Sequence, residues 1–305
     1  MIEVKDIRKS FGDVQALKGI GFTVREGEIY GFLGPNGAGK TTAISIISGL
    51  LLPDSGSVTI AGMDIRKEGR KIRNILGVIP QEIALYEELT ARENLHFWGG
   101  LYGLSGRELH DASTQVLEMV GLSERADDPV SQYSGGMKRR INLCIGLIHR
   151  PQIILLDEPT LGIDPQARIN ILGIIKSEVS QGKTVIYTTH YLEEAENLCE
   201  RIAIIDDGEI KAEGTLGELT QLVGEKDLVT INGTFTSDQA RNFLEGVAVD
   251  HLEDNMVRVL VSESSAISRL LERFFTAGVS VGEVSIKEPS LESVFIKLTG
   301  RELRD

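Results

Sequence analysis

The spacing of hydrophobic and polar positions changes along the chain. Up to about Gly214, short β-rich apolar runs alternate with longer segments of helical period, a pattern typical of an α/β domain with a parallel sheet flanked by helices. Strand-like pieces at Ile2–Val4, Gly21–Val24 and Ser57–Ile60 are separated by glycine-containing turns. They predict a small antiparallel sheet near the N-terminus. The pattern between Leu85 and Tyr133 is helical, so this block is predicted to be a helical insertion.

Two pairs of residues in this block have the spacing of a capping box. In that motif a hydroxyl and a carboxylate three residues apart satisfy free N–H groups at a helix start. Thr90 with Glu93 and Ser105 with Glu108 both fit. We therefore predict a helix beginning after each hydroxyl residue.

The pattern changes again from Leu228 onward. Strand, helix, two strands, helix, strand and a last helix follow one another, which is the βαββαβ order of a ferredoxin-like domain with one helix added. We predict an α/β domain over residues 1–220, with its helical part at about 85–150. A linker near Leu219–Lys226 then leads to a small α+β domain over residues 227–305.

Composition narrows the class of protein. The 305 residues include 32 Lys and Arg against 45 Asp and Glu, a net charge of −13, which argues against binding along a nucleic-acid backbone. The longest uncharged stretch, Thr41–Pro53, is shorter than the roughly 18 to 20 apolar residues that span a bilayer, and the opening does not resemble a signal peptide. Cys144 and Cys199 are too few for a disulfide framework or a zinc cluster. We expect a cytoplasmic protein that does not itself cross a membrane.

The segment Gly34–Thr41 fits the phosphate-loop pattern G-x-x-x-x-G-K-[ST] at every fixed position. It follows the apolar run Ile29–Leu33 and precedes a helical run, the context that this pattern requires. Backbone N–H groups and the helix N-terminus then create an anion site. We expect Lys40 to reach the β- and γ-phosphates of ATP and Thr41 to ligate Mg²⁺; the alternative is an ordinary glycine-rich turn. The predicted nucleotide contacts are Gly34, Pro35, Asn36, Gly37, Ala38, Gly39, Lys40, Thr41 and Thr42.

A carboxylate pair follows a second apolar run. Ile153–Leu156 has the continuous hydrophobicity of a strand buried on both faces, and it leads into Asp157 and Glu158. At the carboxyl end of such a strand, Asp157 is expected to hold Mg²⁺. Glu158 is expected to orient or polarise the attacking water. An acidic turn without a catalytic role is the alternative.

A third motif, Ser134-Gly-Gly-Met137, stands just before a helical run. Phosphate loop, Tyr-Ser-Gly-Gly-Met and Leu-Leu-Asp-Glu-Pro, in this order and spacing, resemble the nucleotide-binding domain of an ATP-binding cassette (ABC) protein over residues 1 to 220. The tail, Glu288–Gly300, resembles the C-terminal extension of the drug-resistance, daunorubicin-type exporter branch. The resemblance implies a P-loop NTPase cassette with an antiparallel β subdomain, a helical subdomain and the accessory domain.

Further site residues come from this resemblance alone. It implies that Phe11 stacks on adenine, with a place in the core of a small sheet as the alternative, and that Gln81 contacts Mg²⁺ and water and senses the membrane subunit. Asp164 resembles the aspartate that communicates across the dimer, and His190 the switch histidine at the γ-phosphate. The signature residues that close on the ATP of the opposite subunit are Ser134, Gly135 and Gly136. Two departures from the commonest signature, Tyr133 for Leu and Met137 for Gln, are familiar in this exporter branch.

The implied function is an ATPase subunit that powers transport, with export favoured. One chain has one phosphate loop and one signature motif, so the resemblance implies two nucleotide-binding domains, a homodimer being expected, around two ATP–Mg²⁺. Separate membrane-spanning permease subunits would dock near Gln81 and hold the chain at the inner face of the membrane. Phe97 and Trp98 are candidates to line this dock, core packing being the alternative.

Two other classes of protein share the phosphate loop but fit this sequence less well. Soluble ABC ATPases that act on ribosomes or DNA usually have two cassettes, coiled-coil insertions or basic surfaces, which this chain lacks. A switch-type GTPase would need an Asn-Lys-x-Asp motif, and none occurs. The cargo stays open between drug, lipid, polysaccharide, peptide and sodium ion.

Overall fold

The structure, a computed structural model, describes residues 1–222, 227–244, 246–261, 264–287 and 290–300. Contacts divide the chain into a first unit, Met1–Leu216, and a second unit that begins at Gly217. The expected linker begins inside helix α8 (Leu216–Leu222), and its residues 223–226 lie outside the described part.

The first unit contains two sheets. Its strands are β1 (Ile2–Phe11), β2 (Val14–Val24), β3 (Ile29–Leu33), β4 (Ser55–Ile60), β5 (Met63–Asp64), β6 (Leu76–Ile79), β7 (Ile153–Asp157), β8 (Thr184–Thr189), β9 (Arg201–Asp206) and β10 (Glu209–Gly214). The first sheet is antiparallel, in the order β2-β1-β4-β5, as the sequence predicted. The second has the order β10-β9-β3-β8-β7-β6, in which only the edge strand β10 is antiparallel.

The parallel sheet determines where the site forms. Strands β3, β7 and β8 are buried along their whole length, as expected for strands covered by helices on both faces. Because parallel strands all end at the same edge, the segments after β3, β6, β7 and β8 meet there. These segments contain the phosphate loop, Gln81, Glu158 and His190.

Helices of the first unit cover this sheet and build the helical insertion. They are α1 (Lys40–Ile47), α2 (Gly69–Ile75), α3 (Ala91–Leu101), α4 (Gly106–Met119), α5 (Gly135–Leu147), α6 (Pro165–Ser180) and α7 (Leu192–Leu198). The capping box of Thr90 and Glu93 is confirmed at α3. At α4 the helix begins after Ser105, as predicted, but the capping box is wrong, because Ser105 makes no side-chain cap hydrogen bond. Gly106 there has a φ of +52°, so the first turn is not regular and Ser105 is not aligned with the N–H three residues on.

The described part of the second unit has the predicted ferredoxin-like order. Its elements are β11 (Asp227–Gly233), α9 (Ser237–Phe243), β12 (Ala248–Glu253), β13 (Met256–Val261), α10 (Ser264–Thr276), β14 (Val281–Lys287) and α11 (Leu291–Thr299). The sheet is antiparallel in the order β12-β13-β11-β14. Alternate residues of β11 and β13 pack with α9 and α10 in a hydrophobic core of this unit.

Candidate functional site

The phosphate loop joins β3 to α1 through positions that only glycine fits. Gly39 is the N-cap of α1 with a φ of +107°, and Gly37 has a φ of +82°, both in the region that favours glycine. A Cβ on Gly34 would lie 2.2 Å from the backbone oxygen of Ile205. The glycines therefore allow this loop to fold closely against the neighbouring strand.

Lys40 extends into this loop and is buried. Its Nζ donates to the backbone oxygens of Gly34 at 2.7 Å and Pro35 at 3.0 Å. It also lies 2.9 Å from Oε1 of Glu158. The lysine therefore links the phosphate loop to the carboxylate after β7.

Glu158 combines burial with an unusual backbone conformation. Its φ is +46°, in the left-handed region that costs energy for a non-glycine residue and is often found at functional sites. Its N–H donates to the backbone oxygen of Thr188 at 3.2 Å and to Oγ1 at 3.0 Å, and its Oε2 lies 3.0 Å from Nδ1 of His190. Burial opposes ionisation, but hydrogen bonds from His190 and Lys40 outweigh it and lower the pKa of Glu158. The carboxylate is therefore ionised at neutral pH, the protonation state that a general base requires.

Asp157 shows the opposite shift. Its Oδ1 accepts a hydrogen bond from Oγ1 of Thr188 at 2.7 Å. Burial raises its pKa although hydrogen bonds from Thr188 and Thr41 lower it. A carboxylate beside the Thr41 hydroxyl is an oxygen donor pair that fits Mg²⁺. Among the residues that the structure describes, no group of three or more His, Cys, Asp or Glu is placed to hold a metal, so phosphate and water oxygens would complete the coordination.

Asp157→Asn is expected to raise the melting temperature of the chelator-treated protein at pH 8. Because the pKa of Asp157 is raised in the fold, its ionised form is less favourable in the folded than in the unfolded chain. The gain should shrink as the pH falls through this raised pKa, because the wild-type carboxyl then takes up its proton. Thermal unfolding of both proteins across the pH range measures the difference.

Asp54 provides the control for this measurement. A hydrogen bond from Lys9 lowers its pKa, with a further one from the N–H of Ser10, so Asp54→Asn should not stabilise the protein at pH 8. A lower melting temperature for Asp157→Asn than for wild type at that pH would contradict the argument.

Lys40, Thr41 and Glu158 line one cleft of about 300 Å³, and its lining does not include Asp157 or His190. Two of its contributors lie far apart in sequence, Gln81 after β6 and Glu158 after β7. Ala16, at the start of the chain, also lines the cleft, and no motif predicted it. The full lining is Ala16, Asn36, Gly37, Gly39, Lys40, Thr41, Thr42, Gln81 and Glu158.

The signature residues form a second group, next to Asp164. Oγ of Ser134 caps α5 by accepting from the N–H of Met137 at 3.3 Å. A Cβ on Gly136 would lie 3.2 Å from Oδ2 of Asp164, and Oδ1 of Asp164 caps α6 through the N–H of Ala167 at 2.9 Å. The lining of the cleft includes none of Phe11, Ser134, Gly135, Gly136 and Asp164.

Phe11 lies at the end of β1 and 51% of it is exposed. Nζ of Lys9 stands 5.6 Å from the centroid of its ring. The alternative of a core aromatic is therefore wrong, while stacking on adenine stays a prediction.

Sequence reasoning missed three polar residues near the cleft. Oγ1 of Thr188 donates to the carboxylate of Asp157 and accepts from the backbone N–H of Glu158, and Arg139 contacts the segment of Gln81. Glu194 is buried and accepts hydrogen bonds from Thr160, Tyr187 and Thr189 at 2.6 to 2.8 Å. A charged residue on an otherwise apolar face is the only sequence signal for Arg139 and Glu194.

A phosphate loop, a carboxylate pair and a histidine at one edge of a parallel sheet, with a Ser-Gly-Gly helix start nearby, define the class of ABC nucleotide-binding domains. The chain belongs to the ABC transporter family. Residues 17–161 match the family described as "ABC transporter". Residues 214–299 match "ATP-binding protein DrrA1-3-like, C-terminal domain".

Similar proteins extend over the whole chain. The linearmycin resistance ATP-binding protein LnrL of Bacillus subtilis (strain 168) is 44% identical over 311 residues, with 100% of both chains covered. The daunorubicin resistance ATP-binding protein DrrA3 of Streptomyces coeruleorubidus is 38% identical, covering 99% of this chain and 97% of its own. The Nod factor export ATP-binding protein I of Sinorhizobium fredii (strain NBRC 101917 / NGR234) is 38% identical, covering 100% of this chain and 87% of its own.

Solved structures agree on the cassette fold. An ATP-binding subunit of an ABC transporter has a TM-score of 0.68 and 32% identity, covering 73% of this chain and 93% of its own. A dimeric post-hydrolysis state of the cassette MJ0796 with ADP and Pi has a TM-score of 0.65 and 32% identity, covering 70% of this chain and 98% of its own. The expected ATP-binding and ATP-hydrolysing subunit of an ABC transporter is thereby confirmed. None of the helices in the described part is long and apolar enough to span a bilayer.

Proposed function

We propose that two copies of this chain close head to tail around two ATP–Mg²⁺ and hydrolyse them to drive export through separate permease subunits. One observation carries the proposal: the cleft contains Lys40, Glu158 and Gln81, whereas Ser134 and Gly136 lie outside it. A signature segment from a second chain would supply the donors that the cleft lacks and would exclude water.

Each group in or beside the cleft has a distinct task in this proposal. Phosphate-loop N–H groups and Lys40 bind the β- and γ-phosphates, and Thr41, Asp157 and Gln81 would hold Mg²⁺, which would neutralise phosphate charge. A water oxygen attacks the γ-phosphorus while the bond to the β,γ-bridging oxygen breaks and ADP leaves. Glu158 takes the proton of that water. His190, the hydrogen-bond partner of Glu158, keeps the carboxylate oriented.

In this proposal the permease docks on Ile83 together with an aromatic patch, the rings of Tyr86 and Phe97. These residues are 40%, 46% and 43% exposed, and the rings of Tyr86 and Phe97 meet edge to face with centroids 5.0 Å apart. Ile83 follows Gln81 by two positions, which supports a path from the dock to the cleft. Trp98, the other candidate, packs against the core of the helical insertion.

Export and the domain limits belong to the same proposal. The printed names of the similar proteins refer to drug resistance and to export, which supports export as the direction. We take residues 1–220 as the cassette, with its helical subdomain at about 85–150, and residues 227–305 as the accessory domain. Bound to its permease, the chain would lie on the cytoplasmic face of the membrane.

A pull-down of the tagged chain from its own cells in mild detergent is expected to recover a multi-span membrane protein in roughly stoichiometric amount. The reason is that the aromatic patch needs a partner to cover it. Mass spectrometry identifies what copurifies, and a variant with Tyr86→Ser and Phe97→Ser should recover less of it. Recovery with ribosomes or nucleic acid, and without a membrane protein, would favour the soluble ABC class.

A further inference from the structure

Arg139 is a buried cation in the first turns of α5, shortly after the signature residues. Only 4% of it is exposed, and its guanidinium donates to three backbone oxygens. NH1 contacts the oxygens of Gln81 at 2.6 Å and Pro80 at 3.3 Å, and NH2 contacts that of Leu161 at 3.4 Å. One side chain of α5 therefore holds the loop after β6 and the loop after β7.

The same helix makes a second contact to the loop of Gln81. Nδ2 of Asn142 donates to the backbone oxygen of Pro80 at 3.4 Å, and its Oδ1 accepts from the N–H of Ala84 at 3.1 Å. Asn142 lies about one turn after Arg139, so both project from one face of α5. This face is the platform on which the loop rests.

The charge of Arg139 is balanced without an ion pair. Among the described residues, no carboxylate lies within 4.0 Å of its guanidinium nitrogens. Burial lowers the pKa of Arg139, while the charges of Asp157 and Glu158 raise it. The charges of these two carboxylates therefore favour the cation without forming an ion pair, and its guanidinium donates to the main chain instead.

We propose that Arg139 positions Gln81 for Mg²⁺ by fixing the main chain of its loop against α5; the inference rests on the proposed function. The planar guanidinium suits this task because its rigid fork directs several N–H groups at once. The ammonium of a lysine is a compact point charge on a flexible stem. Since Ser134 begins the same helix, a shift of the Gln81 loop is passed to the signature segment and to the loop of Asp164. Arg139 is a positioning residue, and it does not touch the reacting atoms.

Arg139→Lys tests this role because it keeps the charge and loses the fork. We expect the Mg²⁺ concentration for half-maximal ATPase activity to rise about 10- to 100-fold, the usual effect of losing a residue that orients a metal ligand. Binding of ATP in the presence of a chelator should stay within about 2-fold of wild type. Mn²⁺ titrations followed by electron paramagnetic resonance, with ATP present, give a readout that does not depend on turnover, and they should show the same weakening.

Arg140→Lys is the matched control. Arg140 lies in the same helix, but its guanidinium donates to the backbone oxygen of Val120 at 2.8 Å, away from the Gln81 loop. The Mg²⁺ dependence of this variant should therefore equal that of wild type. An unchanged Mg²⁺ dependence in Arg139→Lys, or an equal shift in Arg140→Lys, overturns the proposal. If Arg139→Lys and Arg139→Gln both fail to fold, Arg139 is a structural anchor and the proposal is also overturned. Failure of the proposed function itself would appear separately, as wild-type protein without ATPase activity.

Discussion

Glu158→Gln should lower ATP turnover by about 100- to 10,000-fold, the range that a general base contributes. The amide has nearly the volume of the carboxylate and keeps a contact for His190, but it cannot take the proton of the attacking water. Affinity for ATP should change little, because Lys40 and the loop N–H groups still bind the phosphates. We therefore expect the variant to trap the ATP-bound dimer. Turnover of purified protein and size-exclusion chromatography with ATP–Mg²⁺ measure the two effects.

Glu178→Gln is the matched control for this experiment. Glu178 is also a buried carboxylate and pairs with Lys183, but neither residue lines the cleft. Losing that pair tests whether removal of any buried carboxylate impairs the enzyme through stability alone. If Glu158→Gln hydrolyses ATP at the wild-type rate, the assignment of Glu158 as the base is wrong.

Much of the site was predictable because its geometry is local. In Gly34–Thr41, Gly37 and Gly39 have the positive φ that the loop itself requires, and the strand before it and helix after it follow from hydrophobic period. The parallel sheet then brings Glu158 and His190 together, since both directly follow buried strands. Strand order alone brings both residues to this edge, whereas the role of His190 was predicted from the family resemblance.

Other parts of the site depend on contacts that no local pattern encodes. Arg139 contacts Gln81 across 58 positions, and Thr188 links the Asp157 carboxylate to the Glu158 main chain across 31 and 30 positions. Such partners are known only when helices and strands are packed. The capping box expected at Ser105 also does not form. The spacing of Ser105 and Glu108 is right, but the positive φ of Gly106 makes the first turn irregular.

The exposed face of the helical insertion shows a further limit of sequence reasoning. Phe97 and Trp98 are adjacent aromatics, and helical period places them about 100° apart. The structure packs a partly buried Trp98 against the core and leaves Phe97 43% exposed. Sequence alone did not distinguish the two, because both are large apolar residues near one edge of an amphipathic stripe.

Lys40→Ala should weaken ATP binding by about 10- to 100-fold, which is about 1.4 to 2.7 kcal/mol. The loss corresponds to a charge-assisted contact with phosphate, worth about 1.5 to 3 kcal/mol. Titration with a fluorescent ATP analogue measures the affinity, and thermal unfolding shows whether the variant is folded. Turnover should fall further than affinity, because the lysine also stabilises charge on the γ-phosphate in the transition state.

The variant also leaves Glu158 without its ion-pair partner, so the cause of the loss must be separated. An unpaired carboxylate at 2.9 Å from the former ammonium position would repel phosphate by itself. In Lys40→Ala with Glu158→Gln this repulsion is absent, and affinity should remain low if Lys40 binds the phosphates directly. Lys183→Ala breaks a comparable pair with Glu178 outside the cleft and should bind ATP as wild type does. Unchanged binding in Lys40→Ala, or full recovery in the double variant, would show that the lysine is not a phosphate ligand.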